Sequence, residues 1–214
     1  MENRKLLEIN GLYKSFKGKN VFDDFSMSIE EDSITTIFGP SGSGKTTILN
    51  IIGLLETYDS GSVKLFGEKS PKVNSREAML VRRKKIGYLF QNFGLIENST
   101  IKENLDIGLQ YQKLSKRAKK EEMMSALQQV GLNKALDDRV YNLSGGEQQR
   151  VAIARLLIKP AKLILADEPT GSLDHENRDY IMKKLEEMKE QGKTILIVSH
   201  DPEFEKISDY IITI

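Results

Sequence analysis

No cysteine occurs among the 214 residues of the chain. That absence excludes disulfides, thiolate metal sites and a cysteine nucleophile, and it is compatible with a reducing compartment. An excess of either charge is lacking as well: 32 Lys and Arg against 31 Asp and Glu leave a net charge of +1. No overall field steers such a chain onto nucleic acid or an anionic membrane, so no nucleic-acid partner is expected. The two local basic runs, Arg82 to Lys85 and Lys113 to Lys120, read as solvated helix faces. No apolar run approaches the roughly 18 residues needed to span a bilayer, and Met1 to Glu8 holds no apolar stretch of the secretory-signal kind. Repeats and low-complexity linkers are missing too. The expectation is a soluble, cytosolic chain, long enough for one large α/β domain or a core with a subdomain.

From Leu6 to about Ile29, short β-like runs alternate with turn residues, which predicts an antiparallel N-terminal sheet. Ile34 to Phe38, Ser62 to Phe66 and Ile86 to Phe90 read as further strands. Between Thr100 and Leu132 the period changes: Ile101, Leu105, Leu109, Met123, Leu127 and Val130 recur at helical spacing among many charges. That predicts a helical insertion. Strand and helix alternate again from Lys162 to Ala166, through a charged helix from about Glu176 to Gln191 that stops at Gly192, to the strand at Thr194 to Val198 and a last one at Tyr210 to Ile214.

What this chain does contain is a glycine-rich turn after the first buried strand: Gly39-Pro40-Ser41-Gly42-Ser43-Gly44-Lys45-Thr46. It is the phosphate-binding loop pattern, followed by a helix at Thr47 to Ile52. Backbone wraps a polyphosphate only where side chains stay clear, so glycines occupy the tight positions and their N–H groups converge on the anion. Lys45 adds a point charge, Thr46 a hydroxyl for Mg²⁺, and the helix its N-terminal partial positive charge. Farther on, the apolar strand Leu163 to Ala166 delivers Asp167 and Glu168 at its C-terminal end, where ligands bind in open α/β sheets. Asp167 is the expected Mg²⁺ partner. Glu168 is the expected general base or water positioner for hydrolysis of the γ-phosphate.

A second glycine-rich helix start follows Leu143: Ser144-Gly145-Gly146-Glu147. A capping box explains the Ser and the Glu. It does not explain the two glycines, which leave N–H groups open to another anion. One triphosphate needs only one loop of the first kind.

Taken in order, the phosphate loop, Gln91 after the strand ending at Phe90, the run Leu143 to Gln149, Asp167-Glu168-Pro169-Thr170-Gly171, Ser172-Leu173-Asp174 and Thr194 to His200 resemble the nucleotide-binding domain of an ATP-binding cassette (ABC) transporter. The resemblance covers essentially the whole chain. It implies a P-loop NTPase core of α/β class, with an N-terminal antiparallel β subdomain and a helical subdomain at roughly 92–160 inserted in a single domain, 1–214. It further implies that two copies pair head to tail, so that Ser144, Gly145, Gly146 and Glu147 of one close on ATP held by the phosphate loop of the other. Carried over residue by residue, Gln91 contacts Mg²⁺ and water and senses a membrane subunit, His200 contacts the γ-phosphate, Asp174 crosses the dimer interface, and Thr47, Val21 and Phe16 join the nucleotide contacts. Phe16 is the candidate for stacking on adenine, with Tyr13 as the alternative; relatives more often carry tyrosine there. His175 reads as a surface helix start, and Asp32-Ser33 replaces the Gly-Glu common before the phosphate-loop strand, a change that Asp tolerates in a turn.

Leu49 to Gly53, Ile86 to Ile96 and Leu165 to Asp174 resemble the lipoprotein-release and macrolide-exporter branch, which includes bacteriocin and antimicrobial-peptide systems. The family reading implies an ATPase subunit, peripheral on the inner face of the membrane, that powers a separately encoded transmembrane permease exporting or releasing a peptide, lipopeptide or drug. Two other readings share the cassette: control of cell-wall hydrolysis through a nontransporting membrane partner, and soluble work on nucleic acid or ribosomes. For the last, the usual coiled-coil insertion, zinc module and tandem cassette are missing. Where relatives often have proline after Leu95-Ile96, this chain has Glu97-Asn98-Ser99-Thr100, a segment near the membrane-subunit contact in the family.

Overall fold

The computed structural model describes residues 4–171 and 174–214. Met1 to Asn3, and Ser172 and Leu173 of the motif ending at Asp174, lie outside them. Two long strands, β1 (Lys5–Phe16) and β2 (Lys19–Glu30), form an antiparallel hairpin. Its turn is only Lys17-Gly18, both left-handed at φ 48° and 81°. That two-residue geometry matches the twist of the flanking strands, so Lys19 and Asn20 already belong to β2. Strands β4 (Ser60–Leu65) and β5 (Glu68–Lys69) complete a sheet of order β2-β1-β4-β5.

The second sheet is parallel and holds β3 (Ile34–Phe38), β6 (Ile86–Leu89), β7 (Leu163–Asp167), β8 (Thr194–Ser199) and β9 (Tyr210–Thr213), in the order β6-β7-β8-β3-β9. Alternate residues of its strands enter two different cores. Ile164 and Ala166 of β7, with Ile195 and Ile197 of β8, pack with helices α3 (Ile101–Leu109), α4 (Lys116–Gln129), α5 (Gly145–Leu157) and α6 (His175–Glu190). Leu163, Leu165, Leu196 and Val198 pack the other way, with α1 (Lys45–Ile52), Ala78 of α2 (Arg76–Lys84) and the inner face of the antiparallel sheet. A parallel sheet covered on both faces explains why these strands are continuous apolar runs and not alternating ones.

Between β6 and β7 the chain is helical, as the change of period predicts. The segment Glu97 to Thr100 is well anchored there. Asn104, fully buried, accepts from Ile96 N–H at 2.8 Å and donates to the carbonyls of Ile96 and Thr100, and Thr100 forms a capping box with Glu103. Asp32 occupies the left-handed region at φ 57°, the turn conformation that short polar side chains tolerate.

One reading needs correction. The run Arg82 to Lys85 is not simply a solvated face: Arg82 donates to the carbonyls of Leu54 and Val73 at 2.7 and 3.1 Å, Arg83 lies over the Tyr111 ring and Lys85 over Phe66. Long cationic side chains bury their stems while their heads find carbonyls and ring faces.

Candidate active site

The C-terminal ends of β3, β6, β7 and β8, neighbours in the sheet, carry the phosphate loop, Gln91, the Asp167-Glu168 pair and His200. They meet at a cavity of about 610 Å³. From the loop side it is lined by Ser41, Gly42, Gly44, Lys45, Thr46 and Thr47; Gln91, Asp167, Glu168 and His200 face them, and Val21 closes one flank.

The loop needs its glycines for stated reasons. Gly44 stands at φ 99°, and a Cβ there would fall 2.7 Å from Val21 Cγ1 and 2.9 Å from the Phe22 ring. As N-cap of α1 it offers no side chain, so the first N–H groups of that helix have no side-chain partner of their own. Lys45 is buried, yet its ammonium donates to the carbonyls of Gly39 and Pro40 at 2.7 and 3.1 Å and lies 3.7 Å from Glu168 Oε1. Ser43 Oγ, in the same loop, is buried without a partner. Gly39, Pro40 and Ser43 shape the loop but do not line the cavity.

Thr46 Oγ1 donates to Asp167 Oδ1 at 3.3 Å. Burial pushes the Asp167 carboxyl above its ordinary range, and the Glu168 charge adds to that; the Thr46 hydrogen bond and Lys45 act against it. Glu168 is in the left-handed region at φ 43°, a strained position for a residue with a long side chain and one that clusters at active sites. Three groups fix Glu168 Oε2: Ser199 Oγ at 3.1 Å, His200 N–H at 3.3 Å and the His200 ring nitrogen Nδ1 at 2.9 Å. The His200 side chain is otherwise exposed. A carboxylate oriented this firmly, with its other oxygen toward the phosphate-loop lysine, is arranged to act on something between the loop and β7.

Other candidates stand apart. Phe16, at the end of β1, is 43% exposed and does not line the cavity; the ammonium of Lys14 sits 4.3 Å from its ring centroid and is itself paired with Glu56 at 2.9 Å. Tyr13, the alternative, donates to Asn20 Oδ1 at 2.6 Å. Ser144 to Glu147 also lie outside the cavity. Ser144 Oγ accepts from Glu147 N–H at 3.3 Å, and Ser144 N–H donates to the Glu147 carboxylate at 2.9 Å. That backbone N–H, with Lys134 beyond it, holds the Glu147 carboxyl below its usual range. Among the described residues outside its own helix backbone, no atom lies within 4 Å of a Cβ built at Gly145. Asp174 caps α6 by accepting from Asn177 N–H at 2.8 Å, and His175 is exposed at the helix start. Sequence reasoning missed Ser199. Its one signal is a small polar residue at the end of an apolar strand, directly before the histidine.

The family model described as ABC transporter matches residues 22–171. An uncharacterized ABC transporter ATP-binding protein, YknY of Bacillus subtilis, is 37% identical across 98% of this chain and 93% of its own length. The macrolide export ATP-binding/permease protein MacB of Photorhabdus laumondii is also 37% identical across 98% of this chain, which spans 33% of that larger protein. Among solved structures, the dimeric post-hydrolysis state of the ATP-binding cassette MJ0796 bound to ADP and Pi superposes with a TM-score of 0.88, at 33% identity, covering 97% of this chain and 94% of that one.

Proposed function

The chain belongs to the ABC transporter family, and from that membership we propose that it is the ATP-hydrolysing subunit driving a separately encoded membrane permease. The observation that carries this reading is the convergence of four neighbouring strand ends on one cavity that joins a phosphate loop to two carboxylates, a glutamine and a histidine. The triphosphate of ATP lies along Gly39 to Thr46. There the open N–H groups of α1 and the Lys45 ammonium neutralise it, and a bound phosphate competes with the carbonyls of Gly39 and Pro40 for that ammonium. Glu168, held by Ser199 and His200, accepts a proton from the attacking water or orients it, and His200 faces the γ-phosphate. Phe16, partly exposed at the end of β1, stacks on the base through its ring.

The site suits magnesium. Thr46 on the loop side and Gln91 and Asp167 opposite it bring oxygen-bearing side chains to the cavity, Thr46 Oγ1 and Asp167 Oδ1 3.3 Å apart, and no cluster of three or more His, Cys, Asp or Glu suited to a metal occurs among the described residues. That donor set fits a hard cation that keeps waters and phosphate oxygens, not one caged by protein alone. Bound there, Mg²⁺ would neutralise charge on the β- and γ-phosphates.

The chain works as one domain, 1–214, with the helical part at roughly 92–160 carrying Ser144, Gly145, Gly146 and Glu147 to the nucleotide of a second copy. It pairs with that copy when ATP is bound. MacB proteins, by name, combine ATP-binding and permease functions; this chain corresponds to a third of such a protein, and no helix among the described residues is long and apolar enough to cross a membrane. A permease therefore supplies the membrane span and holds the ATPase at the inner face. The cargo class is a peptide, lipopeptide or drug.

The decisive experiment is Glu168→Gln. ATP affinity should stay within about twofold, turnover should fall by at least about 100-fold, and light scattering should show an ATP-dependent dimer. Undiminished turnover would sink the proposed role of Glu168.

A further inference from the structure

Arg155 lies on α5, well beyond the Ser144 start, and is not one of the residues that line the cavity. Its guanidinium makes two short hydrogen bonds, from Nη1 to Gly94 O at 2.7 Å and from Nη2 to Phe93 O at 2.9 Å. Among the described residues no carboxylate lies within ion-pair distance of it, unlike the Arg178 and Arg117 guanidinium groups. A half-buried guanidinium whose fork is satisfied by two consecutive carbonyls is committed to holding one piece of backbone.

That backbone is unusual. Phe93 and Gly94 are both left-handed, at φ 62° and 57°, and consecutive residues in this region are disfavoured when one of them carries a side chain. The turn is closed by Phe93 N–H to Phe90 O at 2.9 Å and Gly94 N–H to Asn92 O at 2.7 Å. It is packed tightly: a Cβ at Gly94 would fall 2.6 Å from the Phe90 ring, which stacks on Tyr88 at 5.2 Å between centroids. Gln91 sits inside this turn and lines the cavity beside Asp167.

We propose that Arg155 is a positioning residue for Gln91: its two-pronged hold on the Phe93 and Gly94 carbonyls keeps the turn left-handed, aims Gln91 at the cavity and ties it to the helix whose N-terminus serves a second copy. The inference rests on the ATPase reading above. It predicts that Arg155 acts on turnover more than on nucleotide affinity, because its guanidinium is committed to the Phe93–Gly94 turn and it does not line the cavity with the phosphate loop.

The test uses the full chain with Mg²⁺ and ATP. Arg155→Lys keeps the charge and loses the fork. It should lower kcat by about tenfold or more while KM for ATP stays within about threefold. The chain has no tryptophan, so Asn92→Trp places a fluorescent reporter in this turn alone. Adding Arg155→Lys to it should raise acrylamide quenching at least about twofold, as expected when a local turn loosens. Gly94→Ala disturbs the turn from the opposite side with Arg155 intact and should give the same kinetic split; it stands in if Arg155→Lys is insoluble. Unchanged kcat and unchanged quenching in Arg155→Lys would overturn the proposal, as would a fall in kcat matched by a fall in melting temperature with no change at the reporter. If the native chain turned over no ATP yet quenching still rose, the ATPase reading would fail and the hold on the turn would stand.

Discussion

Helix α1 begins at a left-handed glycine with no side chain capping its first N–H groups, whereas α5 begins at Ser144, which closes a capping box with Glu147. Both starts are rich in glycine, and in sequence they look like two versions of one device. Their surroundings differ. The α1 end faces two carboxylates, a glutamine and a histidine of its own chain across a cavity; at the α5 end, among the described residues, nothing lies within 4 Å of a Cβ built at Gly145, and the side chain of Asn177 is nearest to one built at Gly146. One helix end is built into a site, and the other is stabilised locally and presented outward. The contrast supports the proposal that the phosphate loop is half of a site whose other half, the α5 start, comes from a second copy.

The strongest way to break that contrast is complementation. Lys45→Met removes the phosphate-loop charge and Gly146→Asp puts a carboxylate where an anion should dock, so each variant alone should lose at least about 100-fold in turnover. Mixed in equal amounts, half the dimers combine the two variants. Each such dimer has one site with both defects and one with neither. The mixture should therefore regain about a quarter of native turnover, since half of the dimers carry one intact site of two in a two-fold assembly. If both helix ends served ATP within one chain, mixing would restore nothing, and a steady-state ATPase assay settles which holds.

Much of this was legible beforehand. Strands β3, β7 and β8 are buried on both faces and so appear as largely apolar runs without alternation, broken only by Thr35 and Thr36 within β3, and every residue lining the cavity is one the sequence reading had named, because phosphate-binding and acidic motifs follow directly on those strands. Helix α2 showed only as a basic helix face at its end, Arg82 to Lys85, because it buries only Ala78; a helix lying on the surface leaves no apolar period to detect. β5 is two residues long. Ser199, Arg155 and the Lys14–Glu56 pair under Phe16 escaped for another reason. Each acts through a contact between segments distant in the chain, such as Arg155 with Gly94 or Lys14 with Glu56, and local pattern carries no record of which distant residues meet.

A finer cut separates the cap from the glycines at the α5 start. Ser144→Ala removes the acceptor for Glu147 N–H and should cost about 1 kcal/mol, a fall of about 2–4 °C in melting temperature for a chain of this size. Gly145→Ala adds a methyl group where nothing among the described residues lies within 4 Å, at a position without positive φ. Its melting temperature should not fall by more than about 1 °C, yet turnover should drop by about tenfold because the methyl intrudes on the facing nucleotide. Equal turnover in the native chain and Gly145→Ala, by ATPase assay, would reduce the α5 start to a helix cap.

The smallest effect lies just past the other end of the same helix. Lys159 follows the α5 C-cap Ile158 and donates to Arg82 O at 3.0 Å, and burial, with the nearby Arg155 charge, pushes its pKa down from 10.5 to about 8. Below about pH 8 both folded and unfolded chains hold the proton, so folding bears the whole cost of burying an ammonium. Between about 8 and 10.5 the unfolded chain binds more protons than the folded one, and stability must rise with pH; above both values the gain is complete. Lys193, also pushed down by burial, works in the same direction, so the informative quantity is a difference. Lys159→Met abolishes one titration and leaves the other. The native melting temperature minus that of Lys159→Met should therefore increase between pH 7.5 and 10, by roughly 1–3 °C for a partly solvated group. A difference that stays flat across this window in thermal melts would show that the far end of α5, like its Ser144 start, is held by hydrogen bonds alone, and that its buried charge has no bearing on how firmly the helix is seated.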